Sequence, residues 1–170
     1  MRPTTRFKKA IEINVPKEKA WKALADFGNI CHGHPAVDTS RVTSKQKEGV
    51  GATRHCDFNM MGASAEERIV EWNDSQNIKI EVYELKKMPG LKTTTMDLHI
   101  QEKEGKILLT ATMEYTMKNS FFDIMNTVMM KSMNSKLVDG ILAGHKKYIE
   151  TGEIVTGKTK LDLSQVIQAN

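Results

Sequence analysis

The stretch SFFDIMNTVMMKSMNSKLVDGILAGHKKYIE, residues 120–150, contains no proline, and Phe122, Met125, Met129, Met133, Leu137 and Ile141 recur in it at nearly helical spacing. Phe121, Val128 and Leu142 lie beside them. That period belongs to an amphipathic helix. At about 1.5 Å per residue it runs on the order of 45 Å, the length of a whole domain. Ser120 reads as the N-cap, Asp123 sits near the positive end of the helix dipole, and Gly152 reads as the terminator. Upstream the period drops to two. Phe7, Ile11, Ile13 and Val15 alternate with polar or small residues, giving a strand over 7–15. Pro16 then opens a short helix with Ala20, Trp21 and Leu24 on one face. A second short helix or turn follows over 26–30, closed by Gly33 and Pro35. Six more strands fall at 39–45, 52–58, 64–72, 78–84, 92–101 and 106–117, separated by turn residues such as Asn73-Asp74, Pro89-Gly90 and Glu104-Gly105. Links this short join antiparallel neighbours. The predicted fold class is therefore α+β: a curved antiparallel sheet of about seven strands wrapped around a long C-terminal helix, with two short helices after the first strand. The sheet needs a cover for its apolar face, and the long helix is the element available. A pocket between the two is the natural functional site.

The chain has 170 residues, which suits one domain over residues 1–152 followed by a polar tail at 153–170. In that tail Leu161, Leu163, Val166 and Ile167 suggest a short amphipathic turn. Hydrophobic residues at 39% and charged residues at 27% describe a globular chain and exclude a disordered one. No apolar run reaches the roughly 18–20 residues of a spanning helix, so stable membrane insertion is not expected. The first residues lack the apolar core of a secretory signal, and Cys31 and Cys56 form no disulfide framework; both features point to the cytoplasm. The net charge of +4 is dispersed, with weak basic clusters at Arg2, Arg6, Lys8 and Lys9 and near the C-terminus. With aromatics at only 6%, this is not the pattern of a nucleic-acid binder. Monomer and homodimer are both compatible with the sequence.

Several motifs, taken in order, resemble the START-like, or SRPBCC, helix-grip superfamily and within it the polyketide cyclase/dehydrase-type proteins. They are Ile11-Glu12-Ile13-Asn14-Val15-Pro16 with Ala20-Trp21; Leu24-Ala25-Asp26-Phe27-Gly28-Asn29; His34-Pro35-Ala36-Val37; Gly51-Ala52-Thr53-Arg54; and Glu67-Arg68-Ile69. The resemblance spans roughly residues 7–150. Cys31-His32-Gly33 departs from it where many relatives carry a Trp. The resemblance implies a cavity that holds a small hydrophobic molecule such as a lipid, polyketide or isoprenoid.

Strand alternation assigns the faces. Ala52, Arg54, Cys56 and Phe58 should point inward, as should Ala65, Glu67 and Ile69. Ile78, Ile80 and Val82 should join them, then Met96, Leu98 and Ile100, and finally Leu109, Ala111, Met113, Tyr115 and Met117. The resemblance also turns Arg54 and Glu67 toward the cavity, roughly opposite each other across a hairpin. Two readings of this pair stand: a structural plug at one end of the cavity, or groups that serve a ligand. Met60 and Met61, in the apolar loop of residues 59–63, either gate the pocket or pack against the long helix. Met125, Met129 and Met133 read first as core and also as pocket lining, and His34 reads as a group at the pocket mouth. His99 and His145 read as solvated.

No pattern calls for a cofactor or a metal. Nucleophile-elbow, phosphate-loop, HExxH and dinucleotide fingerprints do not occur. The donors Cys31, His32, His34, His55 and Cys56 do not converge, because His55 and Cys56 are adjacent on a strand and face opposite ways. Three function classes follow: a carrier of a small hydrophobic ligand; a cyclase/dehydratase in which Glu67 moves a proton, Arg54 polarises a carbonyl and Tyr115 donates to an enolate oxygen; and a protein-interaction module using the tail.

Overall fold

Alternating residues become strands and the long apolar period becomes a helix in the computed structural model, which describes residues 2–169. The elements run β1 (Thr4–Ile13), α1 (Lys17–Ala25), a 3-10 turn (Phe27–His32), β2 (Val37–Val42), β3 (Thr53–Phe58), β4 (Ser64–Asn73), β5 (Asn77–Lys86), β6 (Leu91–Lys103) and β7 (Lys106–Met117). A long composite helix follows: α2 (Ser120–Met125), a π-helical segment (Asn126–Met130) and α3 (Lys131–Thr151). The strands form one antiparallel sheet in the order β2-β3-β4-β5-β6-β7-β1-β8, where β8 is the two-residue Ile167–Gln168 on the outer edge of β1.

Three expectations change at the helix. Its N-cap is Asn119 rather than Ser120, with the Asn119 side chain accepting the Phe122 backbone N–H. The helix is not uniformly α, because one π turn interrupts it. The methionine stripe is not core either. Met129 and Met133 are exposed, because the first half of the helix overhangs the sheet and its second half carries the buried residues. Gly152 does end the helix, with a left-handed φ of 75°.

The second half of the helix seats by close approach and by charge. A Cβ at Gly144 would stand 2.4 Å from the Gly33 carbonyl oxygen, so only glycine lets α3 reach the 3-10 turn. On β1, Lys9 faces inward with Phe7, Ile11 and Ile13, and its ammonium reaches Asp139 of α3 at 2.6 Å and the Ser135 carbonyl at 3.1 Å. The sequence placed Lys9 in a basic N-terminal cluster; burial under the helix makes it an internal tie. The polar residues 153–169 are not detached. Val155 is buried, its N–H donates to the His32 carbonyl, and Leu161 and Val166 pack on the main core.

The end of the sheet beneath α1 is filled by apolar rows, with Trp21 of α1 meeting Trp72 of β4 edge-on at 5.2 Å. The opposite end is framed by loops. The Asn59 side chain donates to the Pro35 carbonyl at 2.9 Å, Lys87 donates to the Met61 carbonyl at 3.2 Å, and Gly90 packs against the Phe122 ring. A continuous rim therefore runs from the turn at Pro35 through the β3–β4 hairpin and the β5–β6 loop to the overhanging helix.

Replacing Asp139 with Ala strands a buried ammonium, and chemical denaturation should show a loss of about 3 kcal/mol or more. The double replacement Lys9→Met with Asp139→Leu removes both charges and should recover most of that loss.

Candidate functional site

Register places one polar row across the concave face. Arg54 of β3 pairs with Glu67 of β4, Glu67 with Val82 of β5, Val82 with Thr94 of β6, Thr94 with Tyr115 of β7, and Tyr115 with Thr5 of β1. The next inward row toward α1 is apolar: Ile69, Ile80, Met96, Met113 and Phe7. The polar row thus lies between an apolar floor and the rim of loops.

At one end of the row Arg54 and Glu67 form the buried pair that alternation predicted. The Arg54 Nε donates to Glu67 Oε2 at 2.7 Å, and its Nη2 donates to the same oxygen. The remaining Nη1 donates to the Phe27 carbonyl at 2.7 Å, and the guanidinium carbon lies 4.1 Å from the centre of the Phe27 ring. Hydrogen bonds on every guanidinium nitrogen offset the cost of burying the charge. Glu67 is therefore not the isolated carboxyl that the acid–base reading required.

At the other end the Tyr115 hydroxyl donates to Asn126 Oδ1 at 2.7 Å, and Asn126 Nδ2 donates to the Thr5 hydroxyl at 2.8 Å. Asn126 opens the π-helical segment, and extra turns of this kind re-aim one side chain. Glu67 and Tyr115 share a row but not a point: three strand spacings, roughly 14 Å, separate them. Between the two ends the Thr94 hydroxyl is buried and has no hydrogen-bond partner, and Asn134 Nδ2 on α3 is likewise buried and unpartnered.

His145, expected in solvent, is buried on α3; its Nδ1–H donates to the Ile141 carbonyl at 2.8 Å. Burial, aided by the positive charge of Arg54, lowers its pKa from 6.5 to about 4. The half-buried His34 accepts the Ala36 N–H on Nδ1, and burial, His145 and Arg54 lower its pKa to about 3. Both imidazoles are neutral near pH 7. Burial and the charge of Glu67 push the Cys56 thiol up to about 12, which makes it a packing group rather than a nucleophile. His55, on the outer face, is held above its ordinary value chiefly by its hydrogen bond to Glu66. His99 is exposed. Among the described residues no group of three or more His, Cys, Asp or Glu side chains is placed to hold a metal ion.

The other candidate residues sort by depth. Ile80, Leu98, Ala111 and Met113 are buried in the floor, whereas Phe58, Val82 and Met96 are half-buried. Met60 and Met61 are exposed, Met61 almost wholly so, and the Met61 carbonyl accepts from Lys87. Met125 is half-buried on the overhang. Asn126, Thr94, Asn134, Phe27 and His145 escaped the sequence reading. A signal for two of them exists, since Asn126 and Asn134 fall in step with Phe122 and Met130 along one helix line. A separate shallow groove of about 460 Å³ lies outside the grip, between α1 (Lys19, Lys22, Asp26) and the end of α3 (Tyr148, Thr151).

Residues 4–150 match the family model described as polyketide cyclase/dehydrase and lipid transport. The chain belongs to that family. Solved structures share the helix-grip fold. Ara h 8.0201 is 13% identical, with a TM-score of 0.66 over 86% of this chain and 98% of that one. The major latex-like protein 151 of Panax ginseng is also 13% identical, with a TM-score of 0.67 over 85% and 97%. A protein of Nitrosospira multiformis is 14% identical, with a TM-score of 0.63 over 88% and 98%. At these identities the likeness is one of fold. No curated protein matches the sequence. Among the described residues no helix is long and apolar enough to cross a membrane.

The neutral imidazoles give stability a definite pH dependence. Below pH 6.5 the unfolded chain binds a proton that folded His145 refuses until about pH 4, so stability is lost as the pH is lowered across that window. Thermal unfolding midpoints at about pH 7 and about pH 5 should differ less in His145→Gln than in the parent protein.

Proposed function

We propose that this protein binds a small, mainly apolar molecule bearing an oxygen acceptor, held between the concave sheet face and the long helix. The observation that carries this reading is the Thr94 hydroxyl: buried, unpartnered, and set in the polar row between Val82 and Tyr115. A buried hydroxyl without a partner costs about 1–3 kcal/mol, a penalty that a ligand oxygen would remove. Asn134 Nδ2 offers a second unused donor from the helix side. The ligand's apolar body would lie on Val82 and Met96. The thioethers of Met113 and Met117 in the main core, and of Met96 and Met130 packed against it, can shift to admit varied shapes.

A lipid, polyketide or isoprenoid carrying a carbonyl or hydroxyl fits this chemistry, and the lipid-transport description of the family supports it. The ligand would enter through the rim at Pro35, the β3–β4 hairpin, the β5–β6 loop and the overhanging helix. In this reading the Arg54–Glu67 pair holds one wall of the site, and no proton need leave it.

Thr94→Val discriminates sharply because it should move two observables in opposite directions. Deleting the unpartnered hydroxyl should raise the unfolding temperature of the ligand-free protein. It should also weaken a fluorescent fatty-acid probe by roughly two- to tenfold, the worth of one hydrogen bond. A drop in unfolding temperature would instead assign Thr94 a structural partner. Val82→Trp, placed over the same space, should abolish probe binding while leaving cooperative unfolding intact. Undiminished binding in that variant would place the ligand elsewhere.

A further inference from the structure

The rim carries a second feature that ligand binding inside the grip does not require. In the β3–β4 hairpin the Ala63 N–H donates to the Met60 carbonyl at 2.7 Å, and both central residues of the turn, Met61 and Gly62, have positive φ (38° and 73°). Such a turn favours Asn-Gly or Gly-Gly. Methionine adopts that backbone at a cost, and here its side chain is 94% exposed, with nothing to pack on. Across the rim, Phe121, Ile124, Val128, Met129 and Met133 of the overhanging helix are each about half exposed or more, with Val128 at 79%. They recur at spacings that keep them on one side of the helix. A fold alone gives no reason to hold these six large apolar side chains, and Met60 with them, in water at one end of the molecule.

Two segments of the rim are rich in positive charge. Residues 84–92, around the β5–β6 loop, and the segment 118–137 carry Lys86, Lys87, Lys92, Lys118, Lys131 and Lys136, against only Glu84 and Asp123. Of these two carboxylates, Asp123 is already paired with Arg2 at 2.7 Å. The excess of four positive charges equals the +4 of the entire chain, so the remainder of the protein is electrically balanced. The hairpin residues 59–62 contribute apolar surface and no charge.

We infer that this end of the protein docks on an anionic lipid surface, with Met60, Met61 and the helix overhang entering the interface and the six lysines facing lipid headgroups. Apolar side chains ringed by lysines are what an interfacial lipid-binding surface needs, and the long lysine side chains can reach headgroups while their stems stay with the apolar centre. A second copy of the chain is a poor occupant, because a two-fold contact would bring the two positive rims together. Docking depends on exposed side chains alone. It stands whether or not the grip holds a ligand.

The test is co-sedimentation of the full chain with vesicles of phosphatidylcholine and phosphatidylglycerol, against vesicles of phosphatidylcholine alone, at low and high salt. The protein should pellet with the anionic vesicles and be released by salt. Met61→Asp combined with Val128→Asp should lower partitioning by about tenfold or more, since it puts carboxylates where apolar groups enter the interface. Both side chains are exposed, so cooperative unfolding should be retained. Val82→Trp, which fills the grip, should leave vesicle binding intact, and that separates this inference from the ligand-binding reading. The inference is overturned if the protein stays in solution with anionic vesicles, or if the double variant pellets as well as the parent. It is also overturned if light scattering shows a dimer, dissociated by Val128→Asp, in a protein that ignores vesicles.

Discussion

The seat of the long helix on β1 and β7 is the constraint on which the rest of the structure depends. Three unlike contacts fix it. Gly144 meets the 3-10 turn at backbone distance, Lys9 is neutralised by Asp139 beneath α3, and Asn126 bridges Tyr115 and Thr5. Each is specific in direction, as burial of leucine or isoleucine would not be. Apolar surface can slide, whereas an enclosed ammonium or carboxamide has one set of partners. The helix leans on β1 and β7, and Val82, on a strand farther off, is a half-buried member of the polar row.

The π-helical segment is the means by which one helix serves two tasks. Asn126 at its start turns inward to hold the polar row, while Val128 and Met129 within it and Met133 beyond it stay in solvent. The cost is a run of apolar side chains in water on the overhang. Those side chains form one edge of the rim, so the device that closes the interior also shapes its approach.

The sequence made the elements legible because each is set by a local period. Alternation put Arg54 and Glu67 on the inner face and across from each other, and the salt bridge follows from that register. Similarly, an apolar line at three- and four-residue spacing announced the long helix. What stayed hidden depends on where the helix lands. The spacing of Met125, Met129 and Met133 says that they share a side but not that the side is covered. Lys9 reads as a surface lysine until Asp139, far along the chain, comes to lie over it. His145 reads as solvated until Gly33 and Gly144 draw the helix against the turn. The tail's Val155 joins the structure only because the His32 carbonyl is free to accept its N–H.

The charge arrangement within the site also bears on what the interior can do. Arg54 is the one cation in the polar row, and it is consumed by Glu67 and the Phe27 carbonyl. Its field, together with burial, keeps His34 and His145 neutral. The interior therefore holds a balanced ion pair, two uncharged imidazoles, a tyrosine already donating and an inert thiol. Such a site presents no net charge to a substrate and no strongly basic or acidic group near neutral pH. Its unsatisfied group is a hydrogen-bonding one, the Thr94 hydroxyl. Chemistry that requires a free general base would have to break the Arg54–Glu67 pair first, leaving a buried guanidinium at a cost of several kcal/mol. In the proposed reading, a ligand oxygen at Thr94 breaks nothing and satisfies a group that is already buried, at a lower cost in energy than freeing a base.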